Sequence, residues 1–385
     1  MSGAGDNSNA DALAARLAAF FAGRGYAKVE PAMLLAAEAV LDHMGEDIRR
    51  RLVITSAPDG TELALRPDFT LPVALWQIEN GPPEGGRYSY SGLAFRFPQE
   101  GDRLRTSAEF RQVGIESFGA ADAGVADADI LAAAIEALAE GGIDRPALVM
   151  GDVAIFAALV DALALGEVWT ARLTRLFWRH RVTGDIAGAL TRGREVGPAS
   201  EALGRSLARM DRADARAVIG EVMAIAGVGG AGGRDAHEIA ARFAHKAREA
   251  EGEKPGDEIG QLVERYLAID VAAGDAVAAL GRFAGDAGLD LGRAIDTLGR
   301  RLELARARGV AVGEARFATA AGRRIEYYTG FVFEARARHR EDFGAVASGG
   351  RYDGFLADLG AAAALPAVGC SIYVDRVAAA AGGES

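Results

Sequence analysis

The sequence predicts an α+β fold in which strands and flanking helices form one core and a long helical segment is inserted into it. Three observations carry this expectation. Two runs, Arg87–Phe97 and Glu109–Phe118, alternate along the chain as half-buried strands do. Other stretches, such as Leu13, Leu17, Phe20 and Phe21 or the alanine-rich 126–139, recur at helical spacing. Residues 166–310 then carry helical patterns with few strand signals, after which strands return. The expected organisation is a disordered tail over 1–8, a core made of 9–165 and 311–385, and a helical insertion over 166–310.

With 385 residues the chain can bury a sizeable core. Its net charge of −11 argues against a surface that coats nucleic acid, which needs clustered Lys and Arg. Cys370 is the single cysteine, so no intrachain disulfide can form. The N-terminal MSGAGDNSNADA lacks the basic and apolar runs of a secretory signal. The uncharged stretch Ala361–Val374 is broken by Pro366 and falls short of the roughly 20 apolar residues of a membrane span. A cytoplasmic protein without membrane or nucleic-acid contacts is expected.

In chain order, a helix starts at Asn9 or Asp11, either of which can cap it, and stops at Gly23 and Gly25. Tyr26–Pro31 is strand-like, and Met33–Met44 is helical by pattern. Leu52–Thr55 and Glu62–Leu65 flank Ala57-Pro58-Asp59-Gly60, a hairpin signal. Arg66-Pro67-Asp68-Phe69-Thr70 follows, then a helix over Leu71–Ile78, so Asp68 and Thr70 read equally as helix caps or as site residues. On the strand Glu109–Phe118, Phe110, Gln112, Gly114 and Glu116 share one face. A buried carboxylate is costly in a core, so this face suits the floor of a ligand site, with Gly114 letting a small molecule approach the backbone.

Beyond the helix 126–139, Ala147–Met150 is a strand and Val153–Leu165 a helix. Within the insertion, Gly227–Gly233 lacks the ending of a phosphate loop and reads as a connector. His237 and His245 are too far apart for a zinc-binding helix, and no metal or cofactor is expected. The arginine cluster from Arg172 to Arg181 reads as a solvated helix face. Strands resume at Ala315–Ala320 and continue into Gly322–Ala335, a polar, aromatic-rich segment carrying Arg323, Glu326, Tyr327 and Tyr328. Ser348–Phe355 places Arg351 and Tyr352 beside a glycine pair, Ala367–Val374 is a strand, and a helix starts at Asp375. The polar segments read equally as a pocket wall or as a solvated edge strand.

Six ordered segments resemble a known family. Glu30-Pro31, Phe95-Arg96 with FRQVGIESFG, and GCSIYVDRV with Arg376 resemble the three motifs of class II aminoacyl-tRNA synthetases. LRPDFT, GRRIEYYTGFVFEA and SGGRYDGF are similar to the amino-acid-binding segments of histidyl-tRNA synthetase. The resemblance spans most of 10–150 and 313–380 and implies a class II synthetase-like antiparallel sheet flanked by helices. Two departures accompany it. The anticodon-binding domain that follows the third motif in those synthetases is expected to be missing. Ala108-Glu109-Phe110 also stands where they carry an ATP-holding Arg-Gln-Phe, and Glu109 opposes phosphate.

This combination, with Asp68 in place of Glu, is similar to the regulatory-subunit family of ATP phosphoribosyltransferase. The resemblance implies a non-catalytic protein with no catalytic residues of its own. It is required by the short-form catalytic subunit in the first step of L-histidine biosynthesis and carries histidine feedback. It also implies a dimer through the core and a hetero-octamer with the catalytic subunit. The alternatives are a truncated synthetase-like ligase that adenylates an amino acid, or a stand-alone amino-acid sensor. The implied histidine site comprises Asp68, Thr70, Arg96, Gln112, Glu116, Arg323, Tyr327, Tyr328 and Tyr352. Asp68, Thr70 and Gln112 would take the ammonium, Arg96 or Arg323 the carboxylate, and Glu116 with Tyr328 the imidazole.

Overall fold

The two runs that alternate in sequence, Arg87–Phe97 and Glu109–Phe118, form the centre of the fold. In the computed structural model, which describes residues 4–98, 107–179, 256–322 and 325–382 and isolated positions between 180 and 255, strands β5 (Arg87–Phe95) and β6 (Glu109–Phe118) pair antiparallel with Gly92 opposite Gln112 and Tyr88 opposite Glu116. The described residues form two compact units, 1–158 with 269–385, and 159–268.

In the first unit, β5 and β6 belong to a nine-stranded sheet. β1 (Ala27–Lys28) runs parallel to β5 at one end. From β5 the order continues through β6, β12 (Ala367–Tyr373), β11 (Ala345–Arg351), β10 (Phe331–Arg336) and β7 (Ala147–Asp152), all antiparallel to their neighbours. β9 (Arg316–Ala318) is parallel to β7, and β8 (Asp270–Ala272) closes the far edge. The sheet is therefore antiparallel through its centre, as the family resemblance implies, and mixed at its edges. A second sheet joins β2 (Leu34–Ala36), β4 (Glu62–Leu65) and β3 (Ile54–Ser56).

Helices α1 (Ala4–Gly23), α5 (Ala123–Glu140) and α12 (Val374–Ala381) pack on the large sheet. Leu13, Leu17 and Phe21 of α1 repeat every fourth residue and are buried, which is why this stretch is a helix with one apolar face. Asp122 caps α5, its carboxylate accepting the Val125 backbone N–H at 3.0 Å. Two short helices, α2 (Ala37–His43) and α3 (Gly45–Arg49), follow β2, and α4 (Thr70–Asn80) follows β4. Helix α6 (Val153–Ala162) follows β7, and the single turn α11 (Phe355–Asp358) follows β11.

Several expectations need correction. Helix α1 begins at Ala4, so the tail expected over 1–8 is helical over most of its length. The expected helix 33–44 opens as strand β2, because Leu34–Ala36 find ladder partners on β4 and tertiary pairing overrides a helical pattern. The turn 57–60 does close the β3–β4 hairpin, with Gly60 at φ +87 and its N–H bonded to Ala57 O at 2.9 Å. The polar segment before Phe331 is turn rather than strand: Tyr328 N–H reaches back to Ile325 O, and the ladder starts only at Phe331.

The compact unit 159–268 begins before the expected insertion, 166–310, and ends well short of it. Residues 269–310 contribute β8, α9 (Ala276–Ala287) and α10 (Gly292–Ala307) to the first unit. In the second unit, α7 (Glu167–Arg179) buries Trp169, Leu173 and Phe177 at four-residue spacing, and α8 (Asp257–Leu267) buries Val263 and Tyr266. Arg172 lies over the Trp169 ring at 5.3 Å and is half-buried rather than fully solvated. His180, Arg181, the glycine run 227–233, His237, His245, Arg323 and Arg324 lie outside the described residues. Among the described residues no helix is long and apolar enough to cross a membrane.

Candidate functional site

Register and the two-residue period of a strand decide which side chains share a face. Opposite Gln112, Gly114 and Glu116 of β6 stand Tyr373, Ser371 and Gly369 of β12, and opposite Gly369 and Ser371 stand Gly350 and Ser348 of β11. This polar, glycine-rich patch faces away from α5, because Arg351, next along β11, bonds Asp127 of that helix. The patch forms the floor of a pocket that is partly open to solvent.

The glycines are spacers for larger neighbours. A Cβ at Gly369 would overlap Glu116 Oε2, and one at Gly350 would lie 2.7 Å from the Tyr328 ring. Gly114 serves the same purpose, and here the expected role is corrected. The Tyr90 hydroxyl occupies the space a Cβ on Gly114 would take, so this glycine admits a tyrosine rather than the backbone approach of a ligand. Tyr90 bonds Ser371 Oγ at 2.7 Å and stacks on Phe69, ring centroids 4.5 Å apart.

The LRPDFT segment supplies one wall. Arg66 is structural: its guanidinium donates to Leu93 O at 2.8 Å and to Pro31 O at 2.9 Å, tying the small sheet to the large one. Asp68 Oδ1 accepts the Thr70 N–H at 3.1 Å as α4 begins, so it acts at the helix start and lines the pocket too. Thr70 Oγ1 donates to Glu116 Oε1 at 3.0 Å, and the Tyr352 hydroxyl donates to Glu116 Oε2. The other wall is aromatic: Tyr327 packs against Tyr328, Tyr352 and Phe355, with centroids 4.8–5.7 Å apart.

Electrostatically the site combines a buried carboxyl on its wall, Asp68, a second behind it, Glu116, and the Arg96 guanidinium. Burial pushes the Glu116 carboxyl up to about 8, against the pull of its bonds from Tyr352 and Thr70. Burial also raises Asp68, opposed by Arg96. Arg96 donates to the Tyr373 hydroxyl at 3.3 Å and lies over the Phe110 ring. Burial raises the Tyr373 phenol, but Arg96, Ser348 and Arg376 outweigh it and leave it lowered. Such a cavity suits a small zwitterion. Asp68 and the neutral acceptors can take an ammonium, and Arg96 can take a carboxylate.

Of the expected site residues, Asp68, Thr70, Arg96, Gln112, Tyr327, Tyr328 and Tyr352 line this one pocket. Glu116 does not line it but lies behind Thr70 and Tyr352, fully buried. Arg323 is outside the described residues. Ile325, Ser348, Gly369, Cys370, Ser371 and Tyr373 also line the pocket without being among the expected residues, although four of them belong to the GCSIYV strand. Their signal is register, which one strand read alone does not contain. Burial raises the Cys370 thiol and makes it an inert neighbour.

Comparison with known proteins places these features. A family model described as histidyl-tRNA synthetase matches residues 5–228 and 233–377. The ATP phosphoribosyltransferase regulatory subunit of Brucella canis is 36% identical over 356 residues, covering 92% of this chain and 93% of that protein. That of Brucella abortus is equally similar, at 36%. Among solved structures, an ATP phosphoribosyltransferase regulatory subunit/histidyl-tRNA synthetase from Bacillus halodurans superposes with TM-score 0.64 at 19% identity, covering 97% of this chain and 79% of that one. Histidyl-tRNA synthetase from Nostoc sp. PCC 7120 gives TM-score 0.61 at 15% identity, covering 97% and 72%. These two establish the class II synthetase-like fold. On the sequence matches, the chain belongs to the family of ATP phosphoribosyltransferase regulatory subunits, built on a histidyl-tRNA synthetase-like core.

Proposed function

We propose that this chain senses L-histidine in the pocket over β6, β11 and β12 and transmits its occupancy to a short-form ATP phosphoribosyltransferase catalytic subunit, which needs this chain for activity. Membership of a regulatory-subunit family implies a catalytic partner. The observation that carries the histidine reading is the convergence of Asp68, Thr70, Gln112 and Arg96 with a tyrosine-lined end in one pocket. Asp68, Thr70 and Gln112 receive the ammonium, and Arg96 or Arg323 receives the carboxylate. Tyr327, Tyr328 and Tyr352 surround the imidazole. Glu116 acts from behind them, its two carboxyl oxygens holding the Thr70 and Tyr352 hydroxyls in place.

Feedback then requires histidine to bind the inhibited arrangement of the assembly more tightly than the active one, since equal affinity shifts nothing. We further propose a dimer through the core and a hetero-octamer with the catalytic subunit. Met33, Leu34, Ile54 and Phe97, on or beside the small sheet, are exposed apolar residues that support a self-association surface there.

The test is direct. The purified chain is titrated with L-histidine by calorimetry, then mixed with a short-form catalytic subunit while phosphoribosyl-ATP formation is followed. Saturable binding, activation on mixing and its reversal by histidine are expected. Absence of histidine binding refutes the pocket assignment, and absence of activation refutes the partner assignment. Histidine-dependent pyrophosphate exchange by the chain alone would instead mark a retained adenylating activity.

A further inference from the structure

Behind the pocket, on the opposite side of the sheet, lies a buried ionic cluster whose residues do not line it. Asp127 of α5 is fully buried and both its oxygens are engaged: Oδ2 accepts Arg301 Nε–H at 2.6 Å and Oδ1 accepts Arg351 Nε–H at 2.8 Å. Arg301, on α10, also donates to Asp152 at the end of β7. Arg351 donates further to Asp353 Oδ1 at 2.6 Å and to Ala123 O at 2.9 Å. Four charged groups out of water stabilise a fold no better than apolar residues of the same volume, so their value lies in directional geometry.

That geometry leads to the pocket wall. Arg351 precedes Tyr352, whose hydroxyl bonds Glu116 and whose N–H donates to Ala367 O at 2.7 Å. Asp353 Oδ1 accepts Ala367 N–H at 2.8 Å, and Asp353 N–H donates to Thr329 Oγ1 at 3.0 Å. Thr329 N–H in turn donates to Arg351 O at 2.8 Å, which anchors the loop carrying Tyr327 and Tyr328. Both aromatic pieces of the pocket thus hang from the Arg351 segment, and Arg351 is oriented by the carboxylate that Arg301 shares.

We propose that Arg301, on a helix outside the pocket, is a positioning residue that acts through Asp127 and Arg351 to set the tyrosine wall, so that pocket occupancy and the docking of α10 are coupled. The inference rests on the reading that the pocket binds histidine. Coupling of this kind is reciprocal: whatever loosens Arg301 weakens histidine, and histidine steadies α10.

The experiment uses the full chain. Histidine affinity is measured for wild type, Arg301→Lys and Arg300→Lys, the last on the same helix as Arg301 and altering only its surface pair with Asp122 of the α5 cap. Arg301→Lys keeps the charge but cannot span Asp127 and Asp152, and is expected to weaken histidine about tenfold, with Arg300→Lys within about twofold of wild type. To keep the test independent of whether Arg301→Lys folds, hydrogen exchange of wild type is followed in parallel, and histidine is expected to slow exchange several-fold over residues 295–305. Wild-type affinity in folded Arg301→Lys, or unchanged exchange over α10 in histidine-saturated wild type, overturns the proposal. If wild type binds no histidine, the pocket reading fails and this inference falls with it.

Discussion

Glu116→Gln isolates the least usual group in the molecule. The wild-type carboxyl is fully buried, takes bonds from two neutral hydroxyls, and burial lifts it to about 8. In the unfolded chain a glutamate titrates near ~4.3. Between those values the folded protein keeps a proton that the unfolded chain has released, so stability falls as pH rises. It is highest at acid pH and fully lost only once pH passes the folded value. One proton of difference corresponds to about 1.4 kcal/mol per pH unit. Glutamine holds the same volume, can accept from Thr70 and donate to Tyr352, and does not titrate. Urea unfolding of both proteins at about pH 5.5 and about pH 7.5 should therefore show wild type losing roughly 2–3 kcal/mol relative to the variant across that interval. Asp68 and Asp152, which burial also raises, largely cancel in the difference. A difference that does not change with pH would show that Glu116 titrates normally, and the account of the pocket floor would be wrong.

Other perturbations separate binding from folding. Asp68→Asn preserves the side-chain oxygen that accepts the Thr70 N–H but removes the charge facing the ligand. Unfolding should be nearly unchanged, and calorimetry should find histidine binding weakened about tenfold or more, the value of one charge-assisted bond. Gly369→Ala drives a methyl into Glu116 Oε2. It should destabilise by about 1–3 kcal/mol in thermal unfolding and abolish histidine binding, since Glu116 must leave Thr70 or Tyr352 to make room. Tyr328→Phe removes only a hydroxyl from a ring that packs on Gly350. The fold should persist while histidine affinity drops, and wild-type affinity would place the imidazole elsewhere.

How much of this is legible in the sequence varies with the range of the interaction that decides each feature. The β3–β4 hairpin, helix α5 and the β5–β6 pair are specified by local period and turn chemistry, and they stand where the residues put them. Strand β2 defeats a local reading because its conformation comes from pairing with β4, across the intervening β3 hairpin, and no local pattern records that. The face shared by Gln112 and Glu116 is visible from alternation alone. What fills the space above Gly114 is not, because Tyr90 arrives from the neighbouring strand.

The segment before β10 shows where the two kinds of information meet. Strict alternation puts Arg323 and Tyr327 on one face and Tyr328 on the other, whereas the family resemblance assigns all three to one ligand. The conflict holds only for a strand. From Ile325 to Gly330 the chain turns, and Tyr327 and Tyr328 both line the pocket because a turn has no two-residue period. A turn lacks ladder bonds to hold it, so its geometry must be set from outside, and Thr329 supplies this by bonding Arg351 and Asp353. Freeing the aromatic wall from the sheet thus makes it depend on the charges behind the sheet. A ligand pocket built this way can be adjusted from a distant helix without altering any residue that touches the ligand.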